Sequence, residues 1–439
     1  MGFFGPISPP PLDESSTPII RRALHRARVV GKFAAVQALV QVIGFFSGIL
    51  LVRSLSQREY AYFTIANTMQ GTINLLADIG ISVGLISIGG RVWQDRYRFG
   101  QLINTALGVR KKLGTGAILL ITPIMYFMLV RNGSSPLYAG ALIVVVLGGL
   151  IVQFSLGVLS VVPRLRSDLN RIQIIDLTGA VSRLLLLGAL FFLFLNAGIA
   201  VFVATAVILL QYLLLRSYVT RVVDFSAPAN PADHSEIMRL TKHLAANAIF
   251  YCVQGQITVF LIGLFAHRAN SVAEVGALGR LAMIFTVVSN LLTNVFVPAF
   301  ARCNSARKLK WLFFVIVGGV SLFSAVILAA AAFYPDQFLY ILGHKYTHLH
   351  RELTLMVAAA VLNAIAGTLW ALNASKAWVA GSWLYIPLTL ATQIALIPFT
   401  DFSSVPGVLT FNLFSVIPSL VLNIILSNRG FRAFRAATT

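Results

Sequence analysis

The chain has 439 residues, of which 58% are hydrophobic and only 11% charged, and its formal net charge is +20. Soluble globular proteins carry about 25% charged residues, so water is not the main solvent of this chain. The basic balance does not mark a nucleic-acid binder either, because no soluble domain interleaving basic and aromatic residues exists to carry that function.

Residues 1–32 hold Pro6, Pro9, Pro10, Pro11 and Pro18, then Arg21, Arg22, Arg26, Arg28 and Lys32. With no apolar core behind a basic start, this is a disordered basic tail and not a signal peptide. An apolar run of about 20 residues makes a helix of roughly 30 Å, enough to cross a bilayer. Twelve such runs follow, near residues 33–54, 60–90, 113–130, 137–162, 174–195, 198–216, 243–266, 272–301, 311–333, 353–375, 378–400 and 405–427. The second and eighth exceed what one crossing needs and should tilt or extend into water. Long continuous runs exclude a β-barrel, whose strands alternate. The predicted fold class is therefore an all-α membrane protein of about 12 transmembrane helices.

Between the spans, Trp93 to Lys112 mixes Tyr97, Phe99, Leu102 and Ile103 with Arg96, Arg98 and Arg110, the pattern of an interfacial amphipathic helix. Residues 218–242, with Asp224, Pro228, Pro231, Asp233 and Glu236, read as a polar cytoplasmic linker. It divides an N-lobe of six spans (33–217) from a C-lobe of six (243–427), and residues 428–439 form a basic cytoplasmic tail. With both termini inside, 26 of the 34 Lys and Arg fall on the cytoplasmic side and six outside, which the positive-inside rule requires. The basic charge thus reports orientation and attraction to anionic lipid headgroups. Cys252 and Cys303 lie at different depths, so no disulfide is expected.

The two lobes look like a parallel repeat. Gln37, Gln41, Gly44 and Gly48 in the first span recur as Asn247, Tyr251, Gln254 and Thr258 in the seventh, at identical spacing. The second span bears Asn67, Gly71, Asn74, Asp78 and Ser82 on one face, and the eighth bears Arg280, Asn290 and Asn294. Amides on membrane helices commonly serve packing. Four polar stripes at equivalent positions suggest instead a hydrated cavity shared by the lobes, with Gln41, Asn74, Gln254, Asn290 and Asn294 on its wall.

Ionisable residues inside spans are the sharper signal, because each costs roughly 2.5–3.5 kcal/mol to place at mid-bilayer. They are Asp78, Asp176, Arg183 and Arg280. At about 1.5 Å per residue, Arg280 lies roughly 12 Å and Arg183 roughly 16 Å below the outer surface, whereas Asp78 lies roughly 27 Å from it. No carboxylate shares the depth of Arg280. An unpaired guanidinium in a hydrated cavity is an anion receptor, and its planar fork suits phosphate. Arg280 and Arg183 are thus candidate ligands for a phosphate-bearing cargo, and Asp78, near the inner mouth, is a candidate gate or coupling residue. His344 and His348 lie four apart, but without a second matching pair they do not make a metal site. Nothing resembles a catalytic constellation, and no cofactor is expected. The coupling ion, proton or sodium, has no recognisable site.

Three segments carry a family resemblance. Leu55-Ser56-Gln57-Arg58-Glu59-Tyr60-Ala61-Tyr62 with Leu76-Ala77-Asp78-Ile79-Gly80 resembles the opening of the polysaccharide and oligosaccharide (Wzx-like) flippases of the multidrug/oligosaccharidyl-lipid/polysaccharide (MOP) superfamily. Glu274-Val275-Gly276 to Arg280-Leu281, followed by Val297-Pro298-Ala299-Phe300-Ala301-Arg302, is similar to helix eight of the same superfamily, whose matching arginine is thought to engage a diphosphate. Leu342-Gly343-His344-Lys345-Tyr346 looks like that family's segment before helix ten. Ala61 replaces the usual glycine, which puts close packing at that turn in question. The resemblance implies a bacterial inner-membrane flippase, not an enzyme. It would move a polyprenyl-diphosphate-linked oligosaccharide to the periplasmic face, for capsule, exopolysaccharide or O-antigen synthesis, with membrane lipids, a polymerase and chain-length proteins as neighbours. A MATE-like multidrug or cation antiporter is the alternative. A membrane polysaccharide polymerase or ligase is a weaker one, since the longest outer loop, from Tyr334 to Glu352, is short for such an enzyme.

Overall fold

The computed structural model describes residues 19–166, 168–191, 195–266, 269–292, 296–303 and 305–436. The start of the expected N-terminal tail, residues 1–18, and Asn294 lie outside the described residues, as does the side chain of Asn290. Helix α1 (Ile19–Ser54) begins well before the first predicted span, so the tail from Ile19 onward is helical. The N-terminal half continues with α2 (Gln57–Ala77), α3 (Ile81–Val92), α4 (Arg96–Arg131), α5 (Pro136–Leu159), α6 (Val161–Leu165), α7 (Leu169–Phe191) and α8 (Ala197–Val219). The C-terminal half comprises α9 (Pro231–Phe265), α10 (Ala269–Leu281), α11 (Ile284–Leu291), α12 (Val297–Ala301), α13 (Ala306–Phe333), α14 (Pro335–Leu342), α15 (His350–Ser375), α16 (Tyr385–Leu396), α17 (Val405–Ser415) and α18 (Ile417–Ala436).

Among the described residues, ten helices are long and apolar enough to cross a membrane, and α2 with α3 makes an eleventh, bent by 45°. The eighth predicted span is not in that set: it is interrupted after Leu281, between α10 and α11, and residues 293–295 lie outside the described residues. Side chains such as Phe399, Leu137 and Phe333 point outward almost fully exposed, a surface suited to lipid and not to water.

The break between α2 and α3 has a local cause. Gly80 adopts φ +73°, and a Cβ there would sit 2.8 Å from the Thr241 Cα of α9. Only glycine satisfies both the left-handed backbone and that approach. Gly276 serves a related purpose on α10, where an added side chain would fall on Thr64 of α2. Ala61 is fully buried within α2, so the methyl group in place of the family's glycine is accommodated.

The segment expected to lie as an interfacial helix does not. It is the first part of α4, continuous with the third span, and Phe99, Leu102, Ile103, Ala106 and Val109 are buried. They pack under α3 and residues 219–237, where Asn104 Nδ2 donates to the carbonyls of Phe225 (3.0 Å) and Ala227 (2.7 Å). Residues 231–242, read as linker, are the opening turns of α9, with Asn230 as N-cap. Asp233, 2% exposed, accepts two bonds from Arg98 at 2.5 and 2.6 Å.

Three apolar clusters describe how the halves meet. One spans both, from Leu51, Tyr60 and Met69 through Met125 and Leu142 to Val272, Leu342 and Leu409. At the opposite end the halves have separate clusters, around Phe99, Val109 and Val162 in one and Phe300, Phe313 and Leu372 in the other. The halves therefore share one core at the end holding the α1–α2 turn and α14, and their clusters part at the end holding the α3–α4 turn and the C-terminus, where the first turns of α9, Ile237 among them, cross to the N-terminal cluster.

Candidate functional site

Two segments that resemble one family, far apart in sequence, touch at the closed end. Lys345 Nζ donates to the carbonyls of Arg53 (3.0 Å) and Leu55 (2.7 Å), and Gln57 Nε2 donates back to the Lys345 carbonyl (3.0 Å). Arg53 adds bonds to the carbonyls of Ile341 (2.9 Å) and Tyr340 (2.5 Å). Burial under this clasp holds the Lys345 ammonium below its ordinary pKa.

Beneath the clasp, α10 lies along α2. Tyr60, fully buried, donates from Oη to the Gly276 carbonyl at 3.3 Å and accepts from Arg280 Nε at 3.3 Å. The Arg280 guanidinium lies 6.0 Å from the Phe63 ring centroid. Its Cδ is close to Gly48 of α1, where a Cβ would be 3.2 Å away. Arg280 thus belongs to the C-terminal half by sequence and to the boundary with the N-terminal half by contact. It has no ion-pair partner among the described residues. The break after Leu281 leaves it in the last turn of α10.

Arg183 on α7 lines a cavity of about 450 Å³ inside the N-terminal half. It lies within electrostatic range of Arg280, and both arginines stand beside α1, Arg280 against Gly48 and Arg183 in the cavity that Gly44 and Ser47 line. Gln41, Asn67, Gln70, Gln153 and Gln211 line the same cavity, and Asp176 stands on its wall, held by Gln37 Nε2 at 3.3 Å. A second cavity of about 250 Å³ continues from it through Gln153, Asp176 and Gln211 to Asn74 and Arg110.

Asp78, the candidate gate or coupling residue, is ion-paired. It pairs with Arg110 at 3.2 Å and accepts from Ser82 Oγ at 2.8 and 2.9 Å, while Arg110 also donates to Asn74 Oδ1 at 3.1 Å. Arg110, read as a cytoplasmic loop cation, is 4% exposed within α4. The chain bends after Asp78, and the Asp78–Arg110 pair fixes that bend to α4. Hidden charge needs a partner, and the sequence offered no sign that these two would meet.

Gln254 faces a different space. It lines a cavity of about 340 Å³ inside the C-terminal half, with Tyr251, Asn363, Trp370, Tyr385 and Asn412. Its amide pairs reciprocally with Gln393 at 3.1 and 2.8 Å. The equivalent faces of α1 and α9 thus line cavities within their own halves, and Gln41 also lines a mostly apolar cavity of about 260 Å³ between α1 and Leu281, Phe285 and Val357 of the C-terminal half. Helix α1 packs chiefly on α7, whereas α9 packs on α2, α3 and α4 of the N-terminal half as well as on α10 and α17. Sequence reasoning passed over Tyr60, Gln153, Gln211 and Tyr385; Tyr60 stood inside a quoted motif, but nothing marked its hydroxyl as the link to Arg280.

No protein-family model and no curated protein matches the sequence. Solved structures do match the fold. A MOP-superfamily transporter from Pyrococcus furiosus Vc1 is 16% identical, covers 95% of this chain and 97% of its own, and superposes with a TM-score of 0.63. A MATE structure in complex with MaD5 is also 16% identical, with coverages of 92% and 94% and a TM-score of 0.60. An outward-facing multidrug resistance MATE transporter of the MOP superfamily is 15% identical, with coverages of 93% and 96% and a TM-score of 0.58. The chain has the MOP-type fold of these transporters.

Proposed function

We propose that this protein is a bacterial inner-membrane flippase, with both termini cytoplasmic, that moves a polyprenyl-diphosphate-linked oligosaccharide to the periplasmic face. The observation that supports this reading is that Arg280, at the boundary of the halves, and Arg183, in the N-terminal cavity, lie within electrostatic range of each other, neither with a carboxylate partner among the described residues. Two guanidiniums repel each other strongly in a low-dielectric interior. A diphosphate between them would relieve that repulsion through charge-assisted, bidentate hydrogen bonds. The charge bias puts the parted end on the cytoplasmic side, where such a cargo is made. Loading would occur there, and release would require the clasp of Arg53, Gln57 and Lys345 to open as the other end closes. This is alternating access between repeats.

The fold does not by itself name the cargo: for the Pyrococcus furiosus transporter, reverse polarity of the binding pocket suggests a different function. One observation favours the MATE-like antiporter, namely Asp176 on the wall of the N-terminal cavity, where a proton, sodium ion or cationic drug could be held. The arginines at the boundary argue against a cationic cargo there.

The test is lipid binding to the purified chain in nanodiscs, read by native mass spectrometry with undecaprenyl diphosphate, undecaprenyl monophosphate and tetraphenylphosphonium as probes. The diphosphate should bind at least about tenfold tighter than the monophosphate, and Arg280→Ala should remove that preference, the scale of one lost charge-assisted contact. Equal binding of the two lipids, or binding of the cation alone, would overturn the proposal in favour of the antiporter.

A further inference from the structure

The cavity of the C-terminal half differs in chemistry from everything around the arginines. Of the residues that line it, none is charged. Tyr251 and Tyr385 stack with ring centroids 5.3 Å apart and planes 15° apart, forming a platform on one wall. Tyr251 is 50% and Trp370 39% exposed, so aromatic surface is presented to the space and not consumed in packing. Around these rings stand Asn363, Asn412 and Ser382. The Asn412 and Ser382 side chains make no hydrogen bond among the described residues, and Asn363 Nδ2 bonds only the Ala359 carbonyl of its own helix. Oxygens and amide hydrogens therefore remain unused beside aromatic faces.

That combination selects a ligand class. An anion needs a cation, and none is present; a lipophilic cation could lie on the rings but would leave the amides without a partner. A purely apolar ligand would strand the free amides. A neutral saccharide meets all three conditions. Its C–H faces lie against aromatic rings, its hydroxyls both donate and accept, and amides and hydroxyls are the side chains that can answer either role. At about 340 Å³ the cavity falls within the usual size of a ligand pocket, with room for a mono- or disaccharide.

We infer that the C-terminal cavity is a binding site for the uncharged sugar of the cargo, separate from the arginine site that takes its phosphate. Tyr251 and Trp370 supply stacking surface, and Asn363, Asn412 and Ser382 supply the hydrogen bonds. This deepens the flippase reading and rests on it for the cargo, but the cavity's preference for a neutral saccharide can be measured without any lipid.

The experiment is saturation-transfer NMR on the full chain in nanodiscs. Its probes are free glucose, galactose, mannose, N-acetylglucosamine, lactose and diacetylchitobiose, with glucuronate as the charged control. At least one neutral sugar should receive saturation, strongest on its ring C–H protons, and glucuronate should receive several-fold less. Tyr251→Leu and Asn412→Ala, two variants on different helices, should each cut the signal at least fivefold, while Arg280→Ala should leave it intact. Silence from all six neutral sugars overturns the inference, as does a glucuronate signal equal to theirs or a signal unmoved in both cavity variants. Inorganic diphosphate binding, followed by 31P NMR, separates the two proposals. Loss of diphosphate binding in wild type with saccharide signal intact would sink the arginine site alone, and the reverse would sink the sugar site alone.

Discussion

The N-terminal half buries an ion pair in its interior beside an amide pair, Gln70 with Gln153 at 3.0 Å, whereas the interior of the C-terminal half is linked by amides and hydroxyls. In the N-terminal half Asp78 pairs with Arg110, and the start of α9 is pinned there by Asp233 and Arg98. In the C-terminal half Gln254 pairs with Gln393, and Asn373 bonds Asn423 and Ser427. Between apolar helices in lipid there is no hydrophobic force to bring them together, so small-residue packing and polar bonds decide the geometry. The difference teaches that a repeated fold can keep its shape while exchanging one kind of polar link for another. It also separates an electrostatic half, suited to a phosphate at its edge, from a neutral half suited to sugars.

The largest expected effect tests the charged half. Asp78→Ala leaves Arg110 buried with only Asn74 as partner, which should destabilise the protein by about 3–5 kcal/mol. Unfolding in mixed dodecylmaltoside and dodecylsulfate micelles measures it. Replacing both partners, Asp78→Leu with Arg110→Met, should cost less than either single change, because no uncompensated charge remains. If the double variant were the worst of the three, the pair would be acting as more than a mutual neutraliser.

A smaller effect is expected from the neutral half. Asn373 is fully buried, donates to the Asn423 carbonyl at 2.9 Å and accepts from Ser427 at 2.8 Å. Asn373→Leu removes two buried bonds, each worth about 0.5–1.5 kcal/mol, while Ser427 Oγ keeps the Asn423 carbonyl at 2.9 Å, and should cost about 1–3 kcal/mol in the same micelle titration. A cost as large as that of Asp78→Ala would erase the distinction between the halves.

These pairs mark where sequence reasoning stopped. Hydropathy found the spans, because about 20 apolar residues are a local property. It read the eighth as one run, whereas the helix is interrupted after Leu281 within a stretch that stays apolar. Depth arithmetic put Arg183 and Arg280 at nearly one level, and in the fold they lie within electrostatic range of each other. It could not show that Arg280 would bond Tyr60, a residue 220 positions earlier. Arg110 and Asp233 were misplaced for a shared reason: a charge near a span end is ordinarily solvated, and only the packing of α4 against α3 and α9 reveals that these two are buried. Polar stripes on α1 and α9 were legible from spacing, but spacing fixes a face and not the helix it meets.

The smallest effect should come from Gln254 and Gln393, and its direction depends on which side of the pair is removed. Gln393 is 7% exposed, whereas Gln254 lines the C-terminal cavity and can be hydrated. Gln254→Leu therefore leaves a buried amide without its partner, at a cost of about 1–2 kcal/mol. Gln393→Leu leaves an amide that water in the cavity can satisfy, at a cost of only a few tenths of a kcal/mol. Changing both to leucine removes donors and acceptors together and should be nearly neutral. Micelle unfolding of the three variants gives the order: Gln254→Leu lowest, Gln393→Leu and the double variant close to wild type. Equal losses from the two single variants would mean that the cavity is dry at Gln254, and a dry cavity could not present its amides to a sugar.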